Sequence, residues 1–328
     1  MAEILKRSIE NTQEKVGAEV QTNIHTAKMP KRKKLIKWIL SAFLFLVVLL
    51  VGFSFLVSYK LTHLTQNTDS FYSLDYPYEK VSFKSSEGDR TIKGVFFPAN
   101  NSNQTLVVVH GYGSNRWVKG RTEKLVAHFI PEGYNILAFD LSGQGESDGK
   151  MVTLGYNEQK DLEGALSYLK ERGQAGKKIA VLGFSMGGAT SLMVASHDDR
   201  IDAVIADSSF SNANLFLSEG LSYFTHLPSF PFNPLIIGVV KYAYGIPLEQ
   251  LSPIDDLKTV KSKPVFLIHT KADLQIPYEN SVQLYNSLKS NPNAKLWTPQ
   301  KGDHMDAINE YTDEYMNNVS SFLKESLK

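Results

Sequence analysis

The segment Gly183-Phe184-Ser185-Met186-Gly187 sets a serine between two glycines. A serine hydroxyl can attack a carbonyl carbon if it is exposed and a base removes its proton. The glycines permit a sharp strand-to-helix turn and a close approach of the two backbones, which lifts the serine out. The flanks agree: Ile-Ala-Val-Leu at 179–182 reads as a buried strand, and Gly-Gly-Ala-Thr-Ser-Leu-Met-Val-Ala at 187–195 as a helix. Elsewhere the pentapeptide would be an ordinary turn. Between a strand and a helix it reads as a nucleophile elbow with Ser185 at its tip.

A serine nucleophile needs a histidine base and a carboxylate to orient it, and behind such an elbow they follow in the order serine, acid, histidine. Of the eight histidines, at 25, 63, 110, 128, 197, 226, 269 and 304, only the last three follow Ser185. His269 closes a strand and reads as structural, and His226 falls in a long aromatic interval. His304, in Lys-Gly-Asp-His-Met, occupies the loop after the last strand and is the expected base. The expected acid is Asp273, in a loop at the carboxyl end of the strand Pro-Val-Phe-Leu-Ile-His, where active-site groups collect. Asp207, at the end of the preceding strand, is the alternative acid. Asp303 abuts His304 and is poorly placed to reach back to it. The developing oxyanion needs backbone donors, and His110-Gly111-Tyr112-Gly113 after Thr-Leu-Val-Val-Val offers one. The Tyr112 and Met186 amides are the expected pair, with His110 shaping the loop.

The remaining pattern supplies the scaffold. Runs at 80–85 and 91–97, around Glu87-Gly88-Asp89, read as an antiparallel hairpin. Buried-strand runs follow at 105–110, 135–140, 179–183, 203–206, 265–269 and 295–298, alternating with helical stretches at 122–130, 156–172, 186–196, 279–288 and 306–323. Alternation of this kind predicts a mainly parallel sheet covered by helices. Residues 209–252 break the rhythm with eight aromatic residues and four prolines; an insertion of that length reads as a lid, about 209–252.

Length and composition bound the alternatives. The chain has 328 residues, 42% hydrophobic and 21% charged, with a net charge of +1, so no basic excess points to nucleic acid. Without cysteine there is no disulfide, thiolate metal site or cysteine nucleophile. No metal-ligand spacing, phosphate-cradling loop or dinucleotide fingerprint appears, and neither a cofactor nor a metal is expected. The near-neutral total hides a split: residues 1–37 carry nine Lys/Arg against four Asp/Glu, or +5, and the remainder carries 26 against 30, or −4. Residues 38–57 are uncharged and predominantly apolar, about the 20 residues that cross a bilayer. The basic cluster at Lys28, Lys31, Arg32, Lys33, Lys34 and Lys37 predicts a cytoplasmic N-terminus and an extracytoplasmic remainder. A signal peptide has a shorter apolar stretch and small residues at its cleavage point; Phe55-Leu-Val-Ser-Tyr59 lacks these, so the expectation is an uncleaved anchor. Met29 is an alternative start. The expected divisions are a basic tail at 1–37, a transmembrane helix at 38–57, a polar stalk at 58–77 and a catalytic domain at 78–328.

From about residue 78 onward the sequence resembles the α/β-hydrolases. The resemblance rests on His110-Gly111-Tyr112-Gly113, Phe139-Asp140-Leu-Ser-Gly143-Gln-Gly145-Glu-Ser147, Gly183 to Gly187, Asp273 with Pro277, and Gly302-Asp303-His304. With its anchor, the whole chain is similar to single-pass bacterial hydrolases of the serine aminopeptidase-like and fermentation-respiration-switch-type esterase branch. The resemblance implies a cap after the sixth strand, a structural role for Asp140, and no cofactor. The expected activity is hydrolysis of an ester, small or lipid-derived, through an acyl-enzyme on Ser185. A peptidase using the same triad, with Glu219 or Glu249 holding a peptide amine, is the alternative within enzymes. A non-catalytic surface binding module is the alternative outside them.

Overall fold

The computed structural model describes residues 1–25, 31–68 and 75–328, in two compact units, Met1–Phe53 and Ser54–Lys328. Two long helices open the chain, α1 (Ala2–His25) and α2 (Lys31–Thr62). α2 is long and apolar enough to cross a membrane, with a mean hydropathy of 2.8 over its most apolar window. It extends beyond the apolar run at both ends and takes in Ser58–Thr62, which the sequence reading assigned to the stalk. Those residues are helical because one face packs: Ser54, Ser58 and Thr62 are buried and Val57 and Leu61 half-buried, whereas Phe55, Leu56, Tyr59 and Lys60 are exposed. Of the remaining stalk, 69–74 lie outside the described residues, as do Lys28 and Met29.

Eight strands form one sheet in the order β1-β2-β4-β3-β5-β6-β7-β8. The hairpin β1 (Glu79–Lys84) and β2 (Thr91–Phe97) is antiparallel, and β2 meets β4 (Asn135–Phe139) antiparallel as well. β3 (Gln104–Val109), β4, β5 (Lys178–Phe184), β6 (Ala203–Asp207), β7 (Val265–Ile268) and β8 (Ala294–Trp297) run parallel. Each predicted strand is present, its ends displaced by a residue at most. The central strands are apolar on both faces because both are covered. Along β3, Val107 and Val109 join one core while Leu106 and Val108 join the other; along β5, Ile179 and Val181 oppose Ala180 and Leu182 in the same way.

The intervening helices are α3 (Arg121–Phe129), α4 (Tyr156–Glu171), α5 (Met186–Ala195), α6 (Ala213–Thr225), α7 (Ser229–Gly238), the short α8 (Pro253–Asp256), α9 (Glu279–Ser287), α10 (Ala307–Glu310) and α11 (Thr312–Ser326). α4, α5 and α9 cover one face of the sheet, and α3 and α11 the other. The expected last helix is two, α10 and α11, interrupted at Tyr311. The aromatic interval is the helical insertion between β6 and β7; Leu217, Leu221 and Ile236 join the α4/α5-side core.

Asp161 of α4 is fully buried and accepts both the Ser142 amide and the Ser142 hydroxyl, each at 2.8 Å, fixing the loop after β4. Burial pushes its carboxyl up to about 7, against the opposing Ser142 bonds and the Arg90 guanidinium 3.6 Å away. A carboxyl whose folded pKa lies above its unfolded value, about 4, stabilises fully below that value and loses the contribution as pH rises through the folded pKa. Urea unfolding of the full chain in detergent is therefore expected to give a midpoint that falls between pH 5 and pH 8. Asp161→Asn, which keeps one acceptor for the Ser142 amide, is expected to flatten that slope.

Candidate active site

Ser185 sits between β5 and α5 with φ +54° and ψ −121°, outside the helical and extended regions. This strained turn holds because its neighbours permit no alternative. The Ser185 amide donates to the Asp207 carbonyl at 2.8 Å, and Ala189 closes the first turn of α5 on the Ser185 carbonyl at 3.1 Å. Gly183 and Gly187 are required by close approach. A Cβ on Gly183 would meet the Gly187 carbonyl oxygen at 2.3 Å, and one on Gly187 would lie 2.4 Å from the carbonyl oxygens of both Val109 and His110. All are backbone atoms that cannot swing aside. Gly187→Ala is thus expected to cost on the order of 4 kcal/mol or more, read as loss of folded protein in thermal unfolding.

His304, in the loop after β8, lies with Nε2 2.8 Å from Ser185 Oγ and Nδ1 2.7 Å from Asp273 Oδ2. A carboxylate only accepts, so the Nδ1 proton points at Asp273 and Nε2 is free to accept from the serine. Asp273 is enclosed: Oδ1 accepts the Gln275 and Ile276 amides at 2.9 Å each, and Oδ2 also faces His269 Nε2 at 3.1 Å. Burial alone would raise its pKa. The hydrogen bonds from His269 and His304, with the Ile276 amide, outweigh burial and hold the carboxyl well below the usual carboxylate range. The expected serine, acid and histidine are therefore contiguous.

The alternative acid stands elsewhere. Asp207 is fully buried, its Oδ1 accepting from the Ser208 hydroxyl at 3.0 Å, and Ser208 Oγ in turn accepts the Met305 amide at 3.0 Å. It supports the loop that carries His304 instead of touching the imidazole. Burial pushes its carboxyl up to about 6. Asp303 offers its backbone carbonyl to Thr270 at 3.2 Å, and His226 caps α6 in a left-handed conformation. His269 is buried as expected, but sequence reasoning missed its contact with the acid. Its Nε2 faces two acceptors, Asp273 and the Ile276 carbonyl at 2.8 Å, and so carries the proton, while Nδ1 lies 2.7 Å from Ser281 Oγ. Its position four residues before Asp273, at a strand end, was the available signal.

The loop after β3 lies directly against the serine: a Cβ on Gly111 would be 3.0 Å from Ser185 Cβ. His110 holds this loop to the one after β4, accepting the Leu141 amide on Nε2 at 2.9 Å and donating from Nδ1 to the Gly111 carbonyl at 2.7 Å. Burial lowers its pKa, so the ring is neutral. Asp140 does similar work, accepting the Arg116 amide at 2.7 Å and the Glu146 amide at 2.8 Å, with the Arg116 guanidinium at 2.8 Å. The Gly113 amide donates to Gln144 Oε1 at 2.7 Å. These ties set the path on which Tyr112 falls. Met186 opens α5, where the first amides have no carbonyl partner in their own helix.

Ser185 and His304 open on a cavity of about 260 Å³, lined largely by apolar residues that include Phe210, Phe216, Leu221, Phe224, Ile236 and Val240 of the insertion. Among the described residues no carboxylate lines it; Glu219 and Glu249 lie outside, and Glu249 pairs with Lys241. Leu61 and Thr62, at the end of α2, line it too. No sequence signal marked these two residues. Among the described residues no cluster of His, Asp and Glu could hold a metal ion.

This sheet order, elbow and histidine loop define a class, and the comparisons agree: a family model for the α/β-hydrolase fold matches residues 104–229, and the chain belongs to that family, a hydrolase by class. It is 30% identical to the uncharacterised protein YqkD of Bacillus subtilis over 234 residues, 71% of this chain and 75% of the relative. Among solved structures it is similar to an esterase of Pyrococcus furiosus, with a TM-score of 0.70 and 27% identity, over 82% of this chain and all of that one. An acylaminoacyl peptidase of Pyrococcus horikoshii shares the fold, with a TM-score of 0.59 and 20% identity, over 77% of this chain and 42% of that one.

Proposed function

We propose that the protein is a membrane-anchored serine carboxylesterase. The observation that carries this reading is the unbroken line Ser185 Oγ–His304 Nε2 (2.8 Å) and His304 Nδ1–Asp273 Oδ2 (2.7 Å), opening on an apolar cavity. Ser185 attacks the ester carbonyl while His304 Nε2 takes its proton. Asp273 orients the ring and stabilises the imidazolium. The Tyr112 and Met186 amides hold the oxyanion. Collapse breaks the acyl C–O bond, and the alcohol leaves with the proton from His304. Water, activated by the same imidazole, then attacks the acyl-enzyme and frees the acid and Ser185. The helical insertion acts as the lid over the acyl group.

The largely apolar lining, with no carboxylate among the described residues, favours an acyl chain over a peptide amine. The exposed apolar side chains of α2, among them Leu40, Phe43 and Leu44, call for lipid around them, and the preceding basic cluster favours a cytoplasmic N-terminus with the catalytic domain outside. The test is to treat the full chain in detergent with a fluorescent fluorophosphonate, then assay p-nitrophenyl esters of rising acyl length beside aminoacyl arylamides. Labelling with ester turnover is expected. Arylamide turnover exceeding ester turnover would make it a peptidase, and a folded, unlabelled protein would defeat the enzyme reading.

A further inference from the structure

We propose that the last turn of α2 forms one wall of the acyl pocket, so that the enzyme takes an acyl chain of a lipid ester from the bilayer in which its own helix is rooted. This deepens the esterase reading and rests on it. Leu61 and Thr62 line the cavity that holds Ser185 and His304. The packed face of the helix, Ser54, Val57, Ser58, Leu61 and Thr62, follows the i, i+3, i+4, i+7, i+8 spacing of a docked helix, and Val57, Leu61 and Leu64 contact the α4/α5-side core.

The docking is polar as well as apolar. Carbonyls in the last turn of a helix lack partners of their own, and here the domain supplies them. The Tyr112 hydroxyl donates to the Leu61 carbonyl at 2.6 Å and the Val152 amide to the Thr62 carbonyl at 2.8 Å. Burial pushes the Tyr112 phenol up to about 12, keeping it a donor. The residue assigned to the oxyanion thus also fastens the end of the helix.

Distance along the chain supplies the membrane. Leu61 lies four residues past the end of the apolar run, about 6 Å of helical rise, which falls within the headgroup zone if the run spans the hydrocarbon layer. The insertion reaches the same place: Tyr244 meets His63 edge-on at 5.8 Å, and Tyr242, two residues away, is 85% exposed. Aromatic side chains of this kind favour the membrane–water interface. An acyl chain entering beside Leu61 passes from lipid to pocket without crossing bulk water.

The test uses the full chain in phosphatidylglycerol–phosphatidylethanolamine vesicles, with monooleoylglycerol either in the same vesicles or in separate ones and p-nitrophenyl acetate as the short ester. Wild type is expected to hydrolyse monooleoylglycerol at least about tenfold faster in the same vesicles. Leu61→Trp, which fills the pocket, is expected to lower the oleoyl-to-acetyl ratio of kcat/KM at least about tenfold; Leu61→Ala, which enlarges it, is expected to raise that ratio at least about twofold. Fluorophosphonate labelling reports whether each variant is folded, and if the Trp variant is not, the Ala profile over rising acyl length decides. Superimposable profiles in an active enzyme would overturn the wall, and equal rates from separate vesicles would overturn the membrane source. A wild type that is neither labelled nor active would instead bring down the esterase reading itself.

Discussion

Ser185→Ala is expected to lower ester turnover by about 10⁴-fold or more and to abolish fluorophosphonate labelling, with thermal unfolding close to wild type. Removing the nucleophile of a triad leaves only the residual catalysis of the oxyanion donors and of binding. The substitution deletes one oxygen that His304 Nε2 contacts at 2.8 Å and leaves the backbone bond from residue 185 to the Asp207 carbonyl in place. Ala at φ +54° has the same Cβ as Ser, so the turn is no more strained than before. Side-by-side assays of the two full-length proteins check this. Turnover within tenfold of wild type would remove Ser185 from the chemistry.

The second large effect separates the two candidate acids. Asp273→Asn is expected to lower kcat by about 10⁴-fold, because an amide that donates toward His304 Nδ1 favours the wrong imidazole tautomer. It also sets a donor against His269 Nε2–H, already committed to the Ile276 carbonyl at 2.8 Å. Asp207→Asn is expected to stay within about tenfold of wild type, since its carbonyl oxygen can still accept from Ser208 and so support the Met305 amide. Steady-state kinetics on one ester measures both. Equal losses would mean that the support under the His304 loop matters as much as the contact to the imidazole. Since Asp273 is held well below the usual carboxylate range, it stays ionised across the assay pH range and adds no limb to the pH–rate profile.

Local chemistry made the elbow legible. Gly183 and Gly187 answer contacts made within five residues or against the adjoining strand, so the turn is written in the segment that forms it. The strands were legible for a related reason: burial on both faces demands continuous apolar runs such as Leu106 to Val109, which little else produces. Chain order reduced eight histidines to three and singled out His304. The apolar run before residue 58 likewise announced a helix by composition alone.

Through-space partners were another matter. Asp207 and Asp273 both end or follow strands, and only the paths of the loops after β6, β7 and β8 decide that Asp273 faces the imidazole while Asp207 turns toward Ser208. The contact of His269 with Asp273 depends on the same loop path. The docking of Leu61 and Thr62 at the pocket had no sequence signal, because a short polar-flanked helical turn carries the same residues whether it stands in solvent or packs on a domain. The sequence by itself determined the candidate nucleophile, the candidate base and the scaffold, whose requirements are steric and local. Only the tertiary structure decided which carboxylate faces the His304 imidazole and which residues line the pocket, because those depend on surfaces that meet from distant parts of the chain.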